Sequence, residues 1–344
     1  MNFKRQIDNI TNKLNSNFGL IIIKNGNTVY EKYNNISSKS RFRIFSGTKI
    51  ITAFAIMLLI QNNKLKLKDT INKFGIDIPY CNKITILHLL NHNSGIYDVF
   101  KELYINLNHP EKLKIRNNKT GLIDFVEYIK IINNNKPKFE PIDNPLDIDI
   151  KYYNNTGYDL LGYIIFFITK TKPSDFIRKN IFDKLGMLDS GFHFEENKWE
   201  LKSYESNYKL GIHMSQNWFC ANAFISCSLL DYTKFLLNYN KLINKKILDT
   251  YKKLYFFKYY NYENKNYIRL GHIGGGDFKH NHLNKQEEYF PLQRTMMQCF
   301  EYKKEKLIIV FGENYLNTNS LFGNNYDNWK KIQKVLYASP YKLF

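Results

Sequence analysis

Ser46-Gly47-Thr48-Lys49 sets a hydroxyl and an amine three residues apart, where a hairpin pattern gives way to a long apolar stretch. At a helix start, residues three apart share one face of the first turn, so the two groups meet. A neutral lysine in that position can take the serine's proton and make the oxygen a nucleophile for acyl transfer. The competing reading is an N-cap, the ordinary job of a serine ahead of an apolar helical run. The same spacing recurs at Ser206 to Lys209 and at Ser339 to Lys342. The first of these lies in the polar stretch Tyr204-Glu205-Ser206-Asn207-Tyr208, and the second abuts Pro340 near the C-terminus. Only Ser46 opens a strong helix signal, with Ile50, Ile51, Ala53, Phe54, Ile56, Met57, Leu58, Leu59 and Ile60 behind it. Apolar residues on nearly every side predict a central buried helix over residues 46 to 62.

The elements around it follow from period and punctuation. Leu20-Ile21-Ile22-Ile23 and Thr28-Val29-Tyr30 flank Asn25-Gly26, so residues 16 to 35 read as a hairpin. Ile84 to Leu90 reads as a short helix ended by the turn signal Asn93-Ser94-Gly95. Residues 101 to 150 carry the weakest pattern, and Pro137, Pro141 and Pro145 keep their surroundings irregular. Helices are predicted from Thr156 through Phe167 and over 173 to 185, the second closed by Leu185-Gly186-Met187. Strand period returns late: Met296 to Tyr302, a polar turn, then Leu307 to Phe311 form a second hairpin, followed by a helix over Trp329 to Tyr337. Strands at both ends with helices between them predict an α/β (α+β) fold, an antiparallel sheet flanked by helices with an inserted helical region. The boundaries are one domain over 1–344, with a sheet part at about 1–61 and 200–344 and a helical part at about 62–199.

Composition excludes several classes. A chain of 344 residues with 44% apolar content can bury a sizeable core. No apolar run reaches the roughly 18 residues that span a bilayer. The N-terminus, Met1-Asn2-Phe3-Lys4-Arg5-Gln6-Ile7-Asp8, lacks the apolar core of a signal peptide, although residues 1 to 15 can form a basic amphipathic helix. A cytoplasmic protein without membrane partners is the expectation. Cys81, Cys220, Cys227 and Cys299 are far apart, lack paired metal-ligand spacing and read as reduced structural thiols. The net charge of +19 is dispersed, with no long basic run or nucleic-acid motif, so no specific nucleic-acid partner is expected. His88 and His92 are four apart but lack the glutamate of a His-Glu-x-x-His pair, and His280 and His282 read as a solvated loop.

Further pieces fall in order around Ser46. Tyr153-Asn154-Asn155 directly precedes Thr156-Gly157-Tyr158 and an apolar helix. Gly271-His272-Ile273-Gly274-Gly275-Gly276 follows a strand-like stretch, and small residues there let a substrate backbone approach. Leu89-Leu90-Asn91-His92-Asn93-Ser94-Gly95, Leu185-Gly186-Met187 and Asp231-Tyr232-Thr233-Lys234-Phe235 complete the series. Together these resemble the serine β-lactamase and penicillin-binding protein superfamily, nearest its class C β-lactamase-like branch, which includes D-amino-acid peptidases and esterases. Ser46-Gly47-Thr48-Lys49 matches its first motif, Tyr153-Asn154-Asn155 the Tyr-x-Asn second, and His272-Ile273-Gly274 the His-x-Gly form of the third.

The resemblance implies a β-lactamase/transpeptidase-like fold and a set of roles. Ser46 would form the acyl-enzyme with Lys49 as base, and Tyr153 would relay a proton to the leaving group with its oxygen pointing at Ser46. Asn155 would bond Lys49 and the substrate amide. His272 and Gly274 would line the substrate strand, and the backbone N–H groups of Ser46 and Gly275 would form the oxyanion hole. No metal or cofactor is required, and the partner is a small-molecule or peptide substrate. Three departures bear on substrate fit: no Pro-Gly precedes the tyrosine motif, Ala223-Phe224 stands where the family has Gly-Gly, and Lys184 stands before Leu-Gly-Met. The expected activity is serine hydrolysis of an amide, β-lactam or ester. The alternatives are an esterase without β-lactam turnover and a catalytically silent binding protein.

Overall fold

The computed structural model describes residues 3–14, 16–99, 124–143, 152–192, 219, 221–262, 265–274, 293–314, 331 and 334–335. Helix α1 (Phe3–Thr11) is followed by strands β1 (Asn17–Lys24), β2 (Asn27–Asn34) and β3 (Arg41–Arg43). A tight turn at Phe45–Gly47 opens α2 (Thr48–Gln61), and α3 (Ile86–Leu90), α4 (Phe125–Asn133) and α5 (Thr156–Thr169) come next. After α6 (Pro173–Ile177), a wider turn at Arg178–Phe182 and α7 (Asp183–Leu185) lie β4 (Ser190–Phe192), β5 (Ile225–Ser228), α8 (Leu229–Asn238) and α9 (Lys245–Tyr251). Strands β6 (Phe257–Tyr262), β7 (Lys265–Gly274), β8 (Gln293–Tyr302) and β9 (Glu305–Asn314) close the described order.

Six strands form one antiparallel sheet in the order β2-β1-β9-β8-β7-β6, so the first hairpin pairs with the last through β1 and β9. Leu20 faces Phe311 and Met297 faces Val310 across these ladders. The period-two alternation sorts side chains onto two faces. Leu20, Ile22, Met296, Ile309 and Phe311 share one core with Ile7 and Leu14. The amphipathic α1 therefore spends its apolar face on the sheet, and its Asp8 accepts from Tyr30 at 2.7 Å. The alternate residues Ile21, Ile23, Met297, Ile308 and Val310 join the larger core that surrounds α2.

Helix α2 is buried from Thr48 through Leu59, because α5, α6 and α9 close around it. Phe54 sits at its centre, met edge-on by Phe235, Tyr239 and Tyr251 at 5.3 to 6.1 Å between ring centroids. Among the described residues, no helix is long and apolar enough to cross a membrane.

Four points differ from the sequence reading. The helix expected from residue 46 begins at Thr48, after the Phe45–Gly47 turn. A second sheet, in the order β3-β5-β4, and strand β6 were not anticipated. Helix α4 forms where the pattern is weakest, started by the Asp124 side chain accepting from Val126 N–H at 2.7 Å. The polar turn of the second hairpin, expected over Lys303 to Lys306, narrows to Lys303-Lys304. The helix expected over 329–337 lies largely outside the described residues, as do Cys220, His280, His282 and the Ser206 and Ser339 repeats of the serine–lysine spacing.

Candidate active site

The serine sits on a constrained turn. Phe45, just before it, adopts φ +43°, a left-handed conformation costly for a residue with a Cβ. Gly47 N–H donates to Ile44 O at 2.8 Å, and Ile44 N–H donates to Ile225 O at 3.1 Å, tying the turn to β5. A Cβ on Gly47 would lie 2.1 Å from Met297 Cε, so the turn packs directly on β8. The N-cap of α2 is Gly47, with no side-chain cap bond, which removes capping as the reason for Ser46.

Lys49 is fully buried. Its Nζ lies 3.1 Å from Ser46 Oγ, 2.9 Å from Asn155 Oδ1 and 3.0 Å from the backbone carbonyl of Asn222. Two of these neighbours can only accept. A neutral amine has two N–H donors and one lone pair. It can satisfy both acceptors and keep its lone pair facing the serine hydroxyl. Burial pushes the Lys49 ammonium down to about 7, against the opposing pull of Asp159 and Asp98. The neutral form is therefore accessible at ordinary pH.

Tyr153 completes the contact around the oxygen, its hydroxyl donating to Ser46 Oγ at 2.8 Å. Burial holds this phenol above its ordinary range, so it keeps its proton where Lys49 has lost one. Its ring is fixed by His92, whose ring centroid is 4.4 Å away. Burial first, and then Lys49, hold His92 well below the usual imidazole range, and Asn154 N–H donates to its Nδ1 at 3.2 Å. Tyr255 meets the same imidazole edge-on at 4.8 Å.

Helix α5 supplies Asn155 just ahead of its first turn and Asp159 one turn later. The Asn155 amide points its oxygen at Lys49, and its Nδ2 lies 3.5 Å from Asp98 Oδ2. His272 stands on β7 opposite Met297, its ring 6.2 Å from Tyr153 and 5.8 Å from Phe256. Gly274 ends the same strand opposite Thr295, while Gly275 lies outside the described residues. Ser46, Lys49, Tyr153 and Asn155 thus meet at one point, with His272 beside Tyr153.

The sequence reading missed Asp98, Asp159 and Asn222. Asn222 contributes a carbonyl, which no residue type advertises. Asp159 did leave a signal, as the single acid in the otherwise apolar α5. His88, four residues before His92, takes part in the Thr85 helix cap instead of pairing with it. No group of three or more metal-binding side chains occurs among the described residues.

Comparison with known proteins bears on the family and the fold. Residues 11–244 match the family model described as Beta-lactamase. A penicillin-binding protein of Bacillus subtilis is 32% identical over 155 residues, 45% of this chain and 31% of that protein. Protein flp of Staphylococcus aureus is 26% identical over 193 residues, 52% of this chain and 35% of that protein. The chain thus spans about a third of the length of these two curated relatives. Among solved structures, D-amino acid amidase from Ochrobactrum anthropi SV3 superposes with a TM-score of 0.69 at 18% identity, over 98% of this chain and 100% of that one. The octameric penicillin-binding protein homologue from Pyrococcus abyssi gives 0.66 at 22% identity, over 92% of this chain and 74% of that one. These structures share the β-lactamase/transpeptidase fold, and with more than half of its length matched by the family model, the chain belongs to the beta-lactamase family.

Proposed function

We propose that this protein is a serine hydrolase that acts through an acyl-enzyme on an amide, β-lactam or ester. The observation that carries this reading is the Ser46 Oγ held between the buried Lys49 amine at 3.1 Å and the Tyr153 hydroxyl at 2.8 Å. In acylation, the Lys49 lone pair accepts the Ser46 proton as Oγ bonds to the substrate carbonyl carbon. The negative charge moves to the carbonyl oxygen, which the N–H groups of Ser46 and Gly275 would receive. One such donor is typically worth about 10² to 10³ in rate. When the intermediate collapses, the bond to the leaving group breaks, and Tyr153 delivers a proton to it while taking one back from Lys49. Water then repeats the sequence to release the acid. A phenol that stays protonated suits the donor's role, and an amine near neutrality suits the base's. Asn155 holds Lys49 on one side and offers its amide to the substrate, with His272 on the wall beyond Tyr153. The substrate is a small molecule or peptide.

The test is intact-mass spectrometry after exposure to a fluorophosphonate and, separately, to a penicillin, with Ser46→Ala as control. An adduct mapped to Ser46 supports the activated serine, and the faster reagent separates an esterase from a penicillin-recognising enzyme. Folded protein that takes up neither reagent overturns the reading in favour of a silent binding protein.

A further inference from the structure

The buried carboxylate of Asp159 lies one helical turn beyond Asn155, on the same face of α5. It has no exposed surface and accepts from three donors. Tyr128 OH reaches one oxygen at 2.8 Å, while Asn222 Nδ2 and Ala221 N–H reach the other at 2.6 and 3.2 Å. Two of those donors belong to the segment Ala221-Asn222. The carbonyls of the same two residues face α2: Ala221 O accepts from Thr52 at 2.7 Å, and Asn222 O accepts from Lys49 at 3.0 Å. Close approach of α5 to this strip depends on Gly162, where a Cβ would lie 2.0 Å from Phe219 O. The carboxylate thus grips the outer side of a strip whose inner side receives the amine.

We infer that Asp159 is a positioning residue for the Lys49 base: it fixes the carbonyl that the amine must bond, and it supplies the fixed negative charge against which that amine takes up the serine proton. This rests on the serine-hydrolase reading of the same site. The titratable groups facing Lys49 are Asp98, Asp159, His92 and the rings of Tyr153 and Tyr158, with Tyr128 behind Asp159 and His272 behind His92. Burial raises the Asp159 carboxyl to about 6, opposed by its bonds to Tyr128 and Asn222 and by the Lys49 charge. At the Lys49 midpoint near pH 7 the carboxyl, at about 6, is mostly ionised.

The test reads Lys49 directly, by NMR titration of protein labelled with ε-¹³C lysine, the resonance being assigned by its loss in Lys49→Ala. Asp159→Asn keeps the shape and removes the charge. Its Lys49 midpoint should fall by about one pH unit, because a buried opposite charge favours the ammonium. Tyr128→Phe keeps the carboxylate but removes a donor that favours ionisation, so its midpoint should move the same way by less; this variant decides the matter if Asp159→Asn does not fold. A midpoint unchanged in a folded variant overturns the inference. Labelling of Ser46 by fluorophosphonate in wild-type protein, run in parallel, reports separately on the nucleophile: its failure removes the hydrolase reading and with it the catalytic meaning of Asp159.

Discussion

Lys49 and Asn155 meet at 2.9 Å although 106 positions separate them, and the contact fixes which way round the amide must stand. The Asn155 oxygen faces the amine, and its nitrogen turns toward Asp98. A flipped amide would set two N–H donors against a lysine that itself only donates when charged. Asn155→Asp would instead place a carboxylate at the amine. Its expected effect is to raise the Lys49 midpoint by about one to three pH units, leaving a tenth or less of the neutral base at pH 7. Rates of Ser46 labelling across pH, compared with wild type, check this.

The wild-type pH profile should track the charge of Lys49. Its folded value is depressed from 10.5 to about 7, so the base is neutral above that pH and protonated below it. Labelling should rise as pH climbs from about 6 to 8 and then level off. A profile still climbing toward pH 10 would show a lysine of ordinary basicity.

Ser46→Ala removes the nucleophile and fills no new space. Labelling should vanish while the circular dichroism spectrum and melting temperature stay close to wild type. Adduct formation at the wild-type rate in this variant would remove Ser46 from the mechanism.

Tyr153→Phe deletes one hydroxyl and keeps the ring against His92. A lost proton relay should lower the turnover rate by about 10² to 10⁴. Substrate binding should change far less, which a separate comparison of kcat and KM would show.

Gly95 has φ +69°, and a Cβ there would lie 2.0 Å from the Phe139 carbonyl oxygen. Backbone meets backbone, so little can give way. Gly95→Ala should cost at least about 2 kcal/mol and lower the melting temperature by several degrees. The loop it holds also carries His92, so Ser46 labelling should slow in the same variant.

Much of this was legible in the chain. The Ser46–Lys49 spacing, Asn25-Gly26 and the apolar run of α2 each write local geometry into residue type. Tyr153 and His272 were readable only from their order along the chain, because a tyrosine or a histidine alone has many uses. The three-residue strands β3 and β4 are too short to show a period. Helix α4 is amphipathic, with Glu127, Lys130 and Asn133 three apart and Tyr128, Ile131 and Ile132 buried, but it is short and stands alone in a stretch of weak pattern. Asp159 is the single acid in an apolar helix. Its partners, Tyr128 and Asn222, lie 31 and 63 positions away, beyond the reach of any local pattern.

The amine at Lys49 takes its surroundings from strangers in sequence: Asn155 at 106 positions and the Asn222 carbonyl at 173. In a chain emerging from the ribosome, none of them has arrived. The same lysine is then an ordinary solvated cation, and the serine beside it an unreactive alcohol. On the proposed reading, chemical competence is an acquired property of the finished tertiary structure, so a serine-directed probe would double as a gauge of folding. It would count native molecules in a mixture that antibodies or mass alone would score as uniform.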